Sequence, residues 1–316
     1  MFFSKTIKKL VNCVQNQHRL VSIVAVLVSL IVFYCGLSSN YLEFSIKLAK
    51  VSANKRESIK QNITLIGQQL QKDSFQELNE NVLMDAAQEG NIGLVAKCLA
   101  KGIDINETNF GGWTPLMFAC DGQPDAIETL LNAGAKINVK NKNGSTPLML
   151  AANRGLTNAV KMLVIAGAKL DEKDNDGSTA LLLAARTCNW DIVTYLVLVG
   201  ANVNIANQYG STPLIEVSSC SNSPHSINFL LESGADINAK TADGRTALAH
   251  AAISGEIENV KKLLLAGANV NALNNQKKTV LADFLDYFND QGNLTNQDKS
   301  YRYKEIYQVL KQGSSR

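Results

Sequence analysis

The chain has 316 residues, 46% of them hydrophobic and 19% charged, which excludes both wholesale disorder and a minimal domain held together only by disulfides. Its net charge of +3 divides unevenly, because the first 36 residues hold Lys5, Lys8, Lys9 and Arg19 with no acid, giving +4, and the other 280 sum to −1. A body this neutral lacks the clustered cations that phosphate binding needs, so no nucleic-acid partner is expected.

Residues 1–19 read as a short basic segment. From Leu20 to Leu37 follow 18 residues without a charge, LVSIVAVLVSLIVFYCGL; as a helix they would span about 27 Å, close to a bilayer core. Phe33, Tyr34, Tyr41 and Phe44 cluster at the far end, where aromatic rings favour the membrane interface. Such a run leaves no solvent-facing side for a core helix. A cleaved signal peptide competes, with Gly36-Leu37-Ser38 as a small-x-small site and release near Ser38, but the run exceeds the usual apolar length of about 7–15 residues and favours a retained anchor. Lys and Arg are balanced across the span, with Lys47, Lys50, Lys55 and Arg56 after it. The N-terminal amine and the closeness of Arg19 tilt the expectation toward a cytoplasmic N-terminus and an exported body.

Residues 38–80 read as a helical connector. Tyr41, Phe44, Leu48 and Val51 form one apolar stripe and Ile59, Ile63, Ile66 and Leu70 a second, with Asn54-Lys55-Arg56-Glu57 between them. A short dimerising coiled coil and a stripe docked on the following domain both fit, and docking is favoured.

From residue 81 to the end the sequence repeats. Gly112-Trp113-Thr114-Pro115-Leu116 recurs as Gly144-Ser145-Thr146-Pro147-Leu148, Gly177-Ser178-Thr179-Ala180-Leu181, Gly210-Ser211-Thr212-Pro213-Leu214 and Gly244-Arg245-Thr246-Ala247-Leu248, the glycines stepping by 32, 33, 33 and 34. A second signature closes each unit, as in Asn132-Ala133-Gly134-Ala135 and Leu265-Ala266-Gly267-Ala268. Within one unit, Thr146 suits a helix N-cap and Pro147 the first helical position, where the missing N–H is no loss. Leu148, Ala151 and Ala152 would face inward, Gly155 would end the first helix in a left-handed turn, and Val160, Leu163 and Val164 would carry the second helix to Gly167.

This pattern resembles the ankyrin repeat, whose period is about 33 residues. The resemblance implies an all-α solenoid of helix-turn-helix units joined by hairpin-like turns. It covers residues 81–316 as about seven units, the first opening at Leu83-Met84-Asp85-Ala86-Ala87 without its Gly-x-Thr-Pro start. The last opens at Lys277-Lys278-Thr279-Val280-Leu281, closes at Gly313 and carries an insertion near Asn289–Asp298. One departure stands out: the His of the family's T-P-L-H pattern is replaced by Met117, Met149, Leu182, Ile215, Ala249 and Ala282. Because that His makes polar links between units in the family, its loss predicts looser coupling.

Catalysis needs converging nucleophile, base or metal ligands. The chain has three histidines: His18 beside the apolar run, His225 placed in a turn, and His250 on a first helix. Cys188, Cys220 and His225 fall near the turns of adjacent units, but helices packed about 8–10 Å apart set them too far for a disulfide and loosely for zinc. Cys98 and Cys120 take the places of a Leu and an Ala and read as buried hydrophobes; Cys13 and Cys35 add no C-x-x-C pair. No enzyme activity, cofactor, metal or small-molecule substrate is therefore expected. The sequons at Asn62, Asn106, Asn143 and Asn293 are what an Asn-rich chain yields by chance.

The resemblance implies instead a protein partner, gripped by turn tips and exposed first-helix positions on a concave face. Transferred onto this chain, the tips are Phe110, Lys142, Asn143, Asn175, Asp176, Gln208, Tyr209 and Asp243, with Trp113 and Arg245 beside them; Asn153, Arg154, Arg186 and Thr187 are the helix positions. Phe110, Trp113, Arg154, Arg186, Tyr209 and Arg245 are of the types enriched at interface hot spots. Trp190 aligns with Ile92 and Ile257 and reads as packing.

Overall fold

The chain divides between Glu77 and Leu78 into two compact units, and the computed structural model describes residues 79–221, 223–290 and 297–314, all in the second. The basic segment, the apolar run at 20–37, His18 and nearly all of the connector lie outside the described residues, as does the middle of the expected insertion. Among the described residues no helix is long and apolar enough to cross a membrane.

The described residues form seven helix pairs. Repeat one joins α1 (Glu80–Gln88) to α2 (Ile92–Ala100), and repeat two joins α3 (Pro115–Asp121), through a 3₁₀ turn at Pro124–Ala126, to α4 (Ile127–Asn132). Repeats three to six pair α5 (Pro147–Arg154) with α6 (Thr157–Ile165), α7 (Ala180–Arg186) with α8 (Trp190–Leu198), α9 (Pro213–Ser218) with α10 (Pro224–Glu232), and α11 (Ala247–Ile253) with α12 (Ile257–Leu265). Repeat seven pairs α13 (Val280–Asp290) with α14 (Gln297–Ser314). Among the described residues there is no strand; Lys240–Thr246 and Leu273–Thr279 make isolated antiparallel bridges.

The local chemistry follows the sequence. The Oγ1 atoms of Thr114, Thr146, Thr179 and Thr212 accept the backbone N–H three residues on at 3.3–3.4 Å, satisfying a donor that the first helical turn would otherwise orphan. Gly155 ends α5 at φ 74°, in the left-handed region that favours glycine. Leu116, Leu148, Leu181, Leu214 and Leu248 are at most 1% exposed. The small residues Ala119–Cys120, Ala151–Ala152, Ala184–Ala185 and Ala251–Ala252 are buried beside them, which lets successive first helices approach closely. Cys98 and Cys120 are buried and free, as their repeat positions predict. In repeat seven Tyr303 packs on Phe284 and Phe288 at 5.6 and 5.3 Å between ring centroids, joining α14 to α13. Gly313 lies within α14 and does not close a left-handed turn there.

The residues standing in for the absent His, from Met117 to Ala249, are buried in the core at 0–4% exposure. Polar coupling between repeats runs instead along two other rows. At the tips, a backbone N–H of each repeat donates to a carbonyl of the one before: Lys142 to Gly111, Asn175 to Asn143, Gln208 to Asp176, Ala242 to Tyr209 and Asn275 to Asp243, at 2.7–3.0 Å. At the base, the Oδ1 atoms of Asn106, Asn138, Asp171, Asn204 and Asn238 accept from the backbone N–H of Lys136, Lys169, Asn202, Asp236 and Asn269 at 2.7–3.2 Å. Asn106, one of the sequon asparagines, is a member of this row.

Candidate protein-interaction face

Each tip is a turn closed by one side chain. Asn109, Asn141, Asp174 and Asn207 each accept, through Oδ1, the N–H groups two and four residues on at 2.8–3.0 Å. In repeat six the Oγ1 of Thr241 takes this place, accepting from Arg245 N at 3.2 Å. The signal for these residues in the sequence is an Asn or Asp five positions before most of the repeat threonines. They pre-organise the tip, so a side chain presented there loses little freedom on binding.

On these pinned tips the predicted contact residues divide into two groups. Phe110 is 93% and Tyr209 58% exposed, and Asn143 and Arg186 are also exposed. The Nζ of Lys142 lies 3.8 Å from the centroid of the Phe110 ring, which places a cation and an aromatic face together in solvent.

The second group is occupied within the array. Asn175 Nδ2 donates to Lys142 O at 2.9 Å and Gln208 Nε2 to Asp176 Oδ1 at 2.8 Å. Arg154 forks onto Asp121 of the preceding repeat at 2.7 and 2.9 Å, and this bonding raises its pKa. Arg245 forks onto the buried Asp283 at 2.7 and 3.0 Å and reaches Asp243 at 2.9 Å. Burial works against the charge on Asp243, but its bond to Thr241 and the charge of Arg245 prevail and lower its pKa. Trp113 packs its ring 5.4 Å from that of Phe118 and is half-buried. Asn175, Gln208, Arg154 and Arg245 thus brace adjacent repeats, while Trp113 packs within its own.

At the opposite ends of the first helices, the structure corrects the reading of the cysteines. Cys188 and Cys220 form a disulfide across repeats four and five, with their Cα atoms 6.0 Å apart. The helix-axis spacing used to exclude the bond does not apply here, because both residues lie past the ends of α7 and α9, where the backbone turns. Cys188, at φ 57°, takes the left-handed position that Gly155 holds in repeat three. His225 opens the first turn of α10 rather than lying in the preceding loop. Among the described residues no three His, Cys, Asp or Glu side chains gather as a metal site. His250 is half-buried on α11 with Nε2 unpartnered; burial depresses its pKa, against the attraction of Asp243, Glu216 and Asp283 and with the help of Arg245.

A further residue invisible to sequence patterning is Asn259. Fully buried on α12, its Nδ2 donates to Ser218 O, Cys220 O and Ser223 Oγ at 2.8–3.1 Å, and its Oδ1 accepts from Ser223 N at 3.2 Å. It occupies the position of Ala159 in repeat three, where nothing polar is expected.

The family model described as "Ankyrin repeats (3 copies)" matches residues 48–141, 122–207 and 190–274. Among solved structures the chain is similar to the human ASB11 ankyrin repeat domain, with a TM-score of 0.60 and 22% identity over 73% of this chain and 96% of that one. No curated protein matches it. The structural likeness, at that identity, concerns the fold.

Proposed function

The chain belongs to the ankyrin-repeat family, and from that premise we propose that it is a membrane-anchored interaction scaffold, with residues 20–37 as the anchor and the repeats displayed on the exported side. Ankyrin repeats are protein-interaction scaffolds and non-catalytic as a class. The observation that carries the reading here is the pair of aromatic rings, Phe110 and Tyr209, left in solvent on tips whose backbones are fixed by hydrogen bonds. An exposed ring on a rigid support gains apolar burial on binding without a large ordering cost, the hallmark of an interface anchor. With Asn143 and Arg186, and across tips braced by Lys142, Asn175, Asp176, Gln208, Asp243 and Arg245, they form the surface for a protein partner; Trp113 and Arg154 support it from beneath.

Export is supported by the Cys188–Cys220 bond, since disulfides persist in oxidising compartments and are rare in the cytosol. The anchor rests on the 18-residue uncharged run. One assay tests both: a reporter active only outside the cytoplasm, fused after Arg316, with protease applied to intact and opened cells. A full-length, membrane-bound protein with an active reporter is expected. An active reporter on a shortened, soluble product would replace the anchor with cleavage near Ser38, and an inactive reporter would reverse the orientation. The binding face is tested separately by photo-crosslinking residues placed at 110 and 209, which should trap one adduct of the same mass. Adducts formed only from position 165, on a second-helix end, would move the partner to the other surface.

A further inference from the structure

The link between repeats four and five differs in kind from its neighbours. At the ends of the first helices, repeats one and two are joined by Gln123 N donating to Gln88 O at 2.9 Å, and repeats two and three by Arg154 on Asp121. Repeats three and four meet through Asn189 Nδ2 and Ala152 O at 3.5 Å, and repeats five and six through the buried Asn259 and a bond from Ser221 to Glu256. Between four and five, the link at this edge is the covalent Cys188–Cys220 bond, with the Cys220 Sγ lying 3.5 Å from Ala185 O of repeat four.

Two features show a position built around it. Cys188 stands in the left-handed region at φ 57°, where Gly155 and Gly255 serve in repeats three and six; a residue with a Cβ is disfavoured there and needs a compensating contact. The loop bearing Cys220 is one residue longer between its repeat threonine and closing glycine, Thr212 and Gly234, than the loops of repeats three, four and six. Its far side is gripped by Asn259, so that the loop is tethered to repeat four by sulfur and to repeat six by an amide.

We propose that Cys188–Cys220 is a redox latch that decides whether the solenoid behaves as one body across the junction of repeats four and five. The predicted binding face crosses this junction, with Arg186 on one side and Tyr209 on the other. Cys188 is exposed and Cys220 buried, so a glutathione thiolate attacks the sulfur of Cys188 and Cys220 leaves as a thiolate that takes up a proton. A second glutathione thiolate attacks the glutathione sulfur of the mixed disulfide, releasing oxidised glutathione and the Cys188 thiolate, which is protonated in turn. Two electrons and two protons thus pass from two glutathione molecules to the protein, and closing the latch reverses every step. Opened, the junction keeps its tip and base hydrogen bonds and loses the restraint at the edge between them.

The test uses the full-length protein in detergent, equilibrated with mixtures of reduced and oxidised glutathione. Peptide mapping without reduction is expected to find Cys188 joined to Cys220, with Cys98 and Cys120 remaining thiols. Amide exchange in α7 to α10 is expected to rise at least about tenfold on reduction while α5 and α6 stay unchanged. Cys188→Gly, which installs the residue that repeats three and six tolerate at this place, should exchange like the reduced protein under both conditions. Reduction of the native chain, reversed by oxidised glutathione, decides the matter should that variant fail to fold. Absence of the Cys188–Cys220 peptide at every glutathione ratio would overturn the latch, as would a bond whose reduction leaves exchange at the junction unaltered.

Discussion

At the tips, the same backbone hydrogen bond recurs from Lys142 on Gly111 to Asn275 on Asp243, whereas at the turns after the first helices the linking chemistry changes from junction to junction: a backbone bond, an ion pair, an amide, a disulfide, a buried amide clamp, and the hydroxyl of Tyr303 on Ile253 O. The difference follows from which atoms do the joining. Backbone links are indifferent to side-chain identity, so a tip residue whose side chain makes no hydrogen bond to the next repeat, such as Tyr209, can vary and remain available to a partner. Links made by side chains tie each turn to its own residues, and substitutions there are felt as stability. Function is therefore expected to concentrate at one edge and stability at the other.

The largest effect expected at the turn edge is that of Asn259→Ala. It leaves Ser218 O and Ser223 N without their buried partner and Cys220 O with Ser223 Oγ alone, at a cost of about 3 kcal/mol, because unsatisfied buried polar groups lose their full desolvation energy. Urea unfolding followed at Trp190 checks this. A loss under about 1 kcal/mol would mean that water replaces the amide, and that the turn edge is less demanding than the contrast requires. Next comes Asp283→Ala, on the tip side, where it strips the bidentate side-chain partner from Arg245 between repeats six and seven. Because the Asp283 side chain is 6% exposed and that of Arg245 32%, the expected loss is about 2 kcal/mol. The exposed pair of Arg154 and Asp121, of the same bidentate form, belongs nearer the surface value of about 0.5–1 kcal/mol.

The repeat, its caps and its inward face were legible because they are periodic: Thr, Pro, Leu and Gly recur at fixed spacing and each has a local reason to stand where it does. The row of Asn and Asp at the base and the side chains that close the tips were equally periodic, yet passed for the polar residues of ordinary turns. Asn259 and the Cys188–Cys220 bond were illegible for a different reason. Each occurs once, at a place where a one-residue change in loop length or a left-handed backbone alters distance, and mean helix spacing carries no information about that. Of the predicted contact residues, types were legible but occupation was not: nothing in the sequence shows that Arg154 is committed to Asp121 of the preceding repeat.

His250 sharpens the contrast within the interior. Its pKa is lowered by burial, so in the native state it binds its proton at lower pH than in the unfolded chain. Over that window the unfolded chain holds more protons, and stability falls as pH drops below the ordinary histidine value of about 6.5. His250→Leu installs the residue found at the equivalent positions 150 and 183 and removes a nitrogen that lacks a partner. The variant should match or slightly exceed the native chain in urea at pH 7.5, and its advantage should grow as pH falls toward 5. Parallel pH profiles for the two proteins would show that protonation is accommodated by Asp243, Glu216 and Asp283, the acids whose charge favours it.

Tyr209→Ala tests the other half of the contrast and should have the smallest effect on stability. The side chain is 58% exposed, while the residue's structural work is done by its backbone: its N–H donates to Asn207 Oδ1 at 3.0 Å and its carbonyl accepts from Ala242 N at 2.7 Å. Truncation at Cβ leaves both bonds in place, and the change in unfolding free energy should lie within about 0.5 kcal/mol. The same substitution should weaken capture of the partner at least about tenfold, as loss of an aromatic anchor does. The two measurements separate the roles directly. A destabilised Tyr209→Ala protein would make the ring a packing residue of the tip, and retained capture by a stable one would leave Phe110 and Lys142, one tip edge away, as the anchor of the interaction.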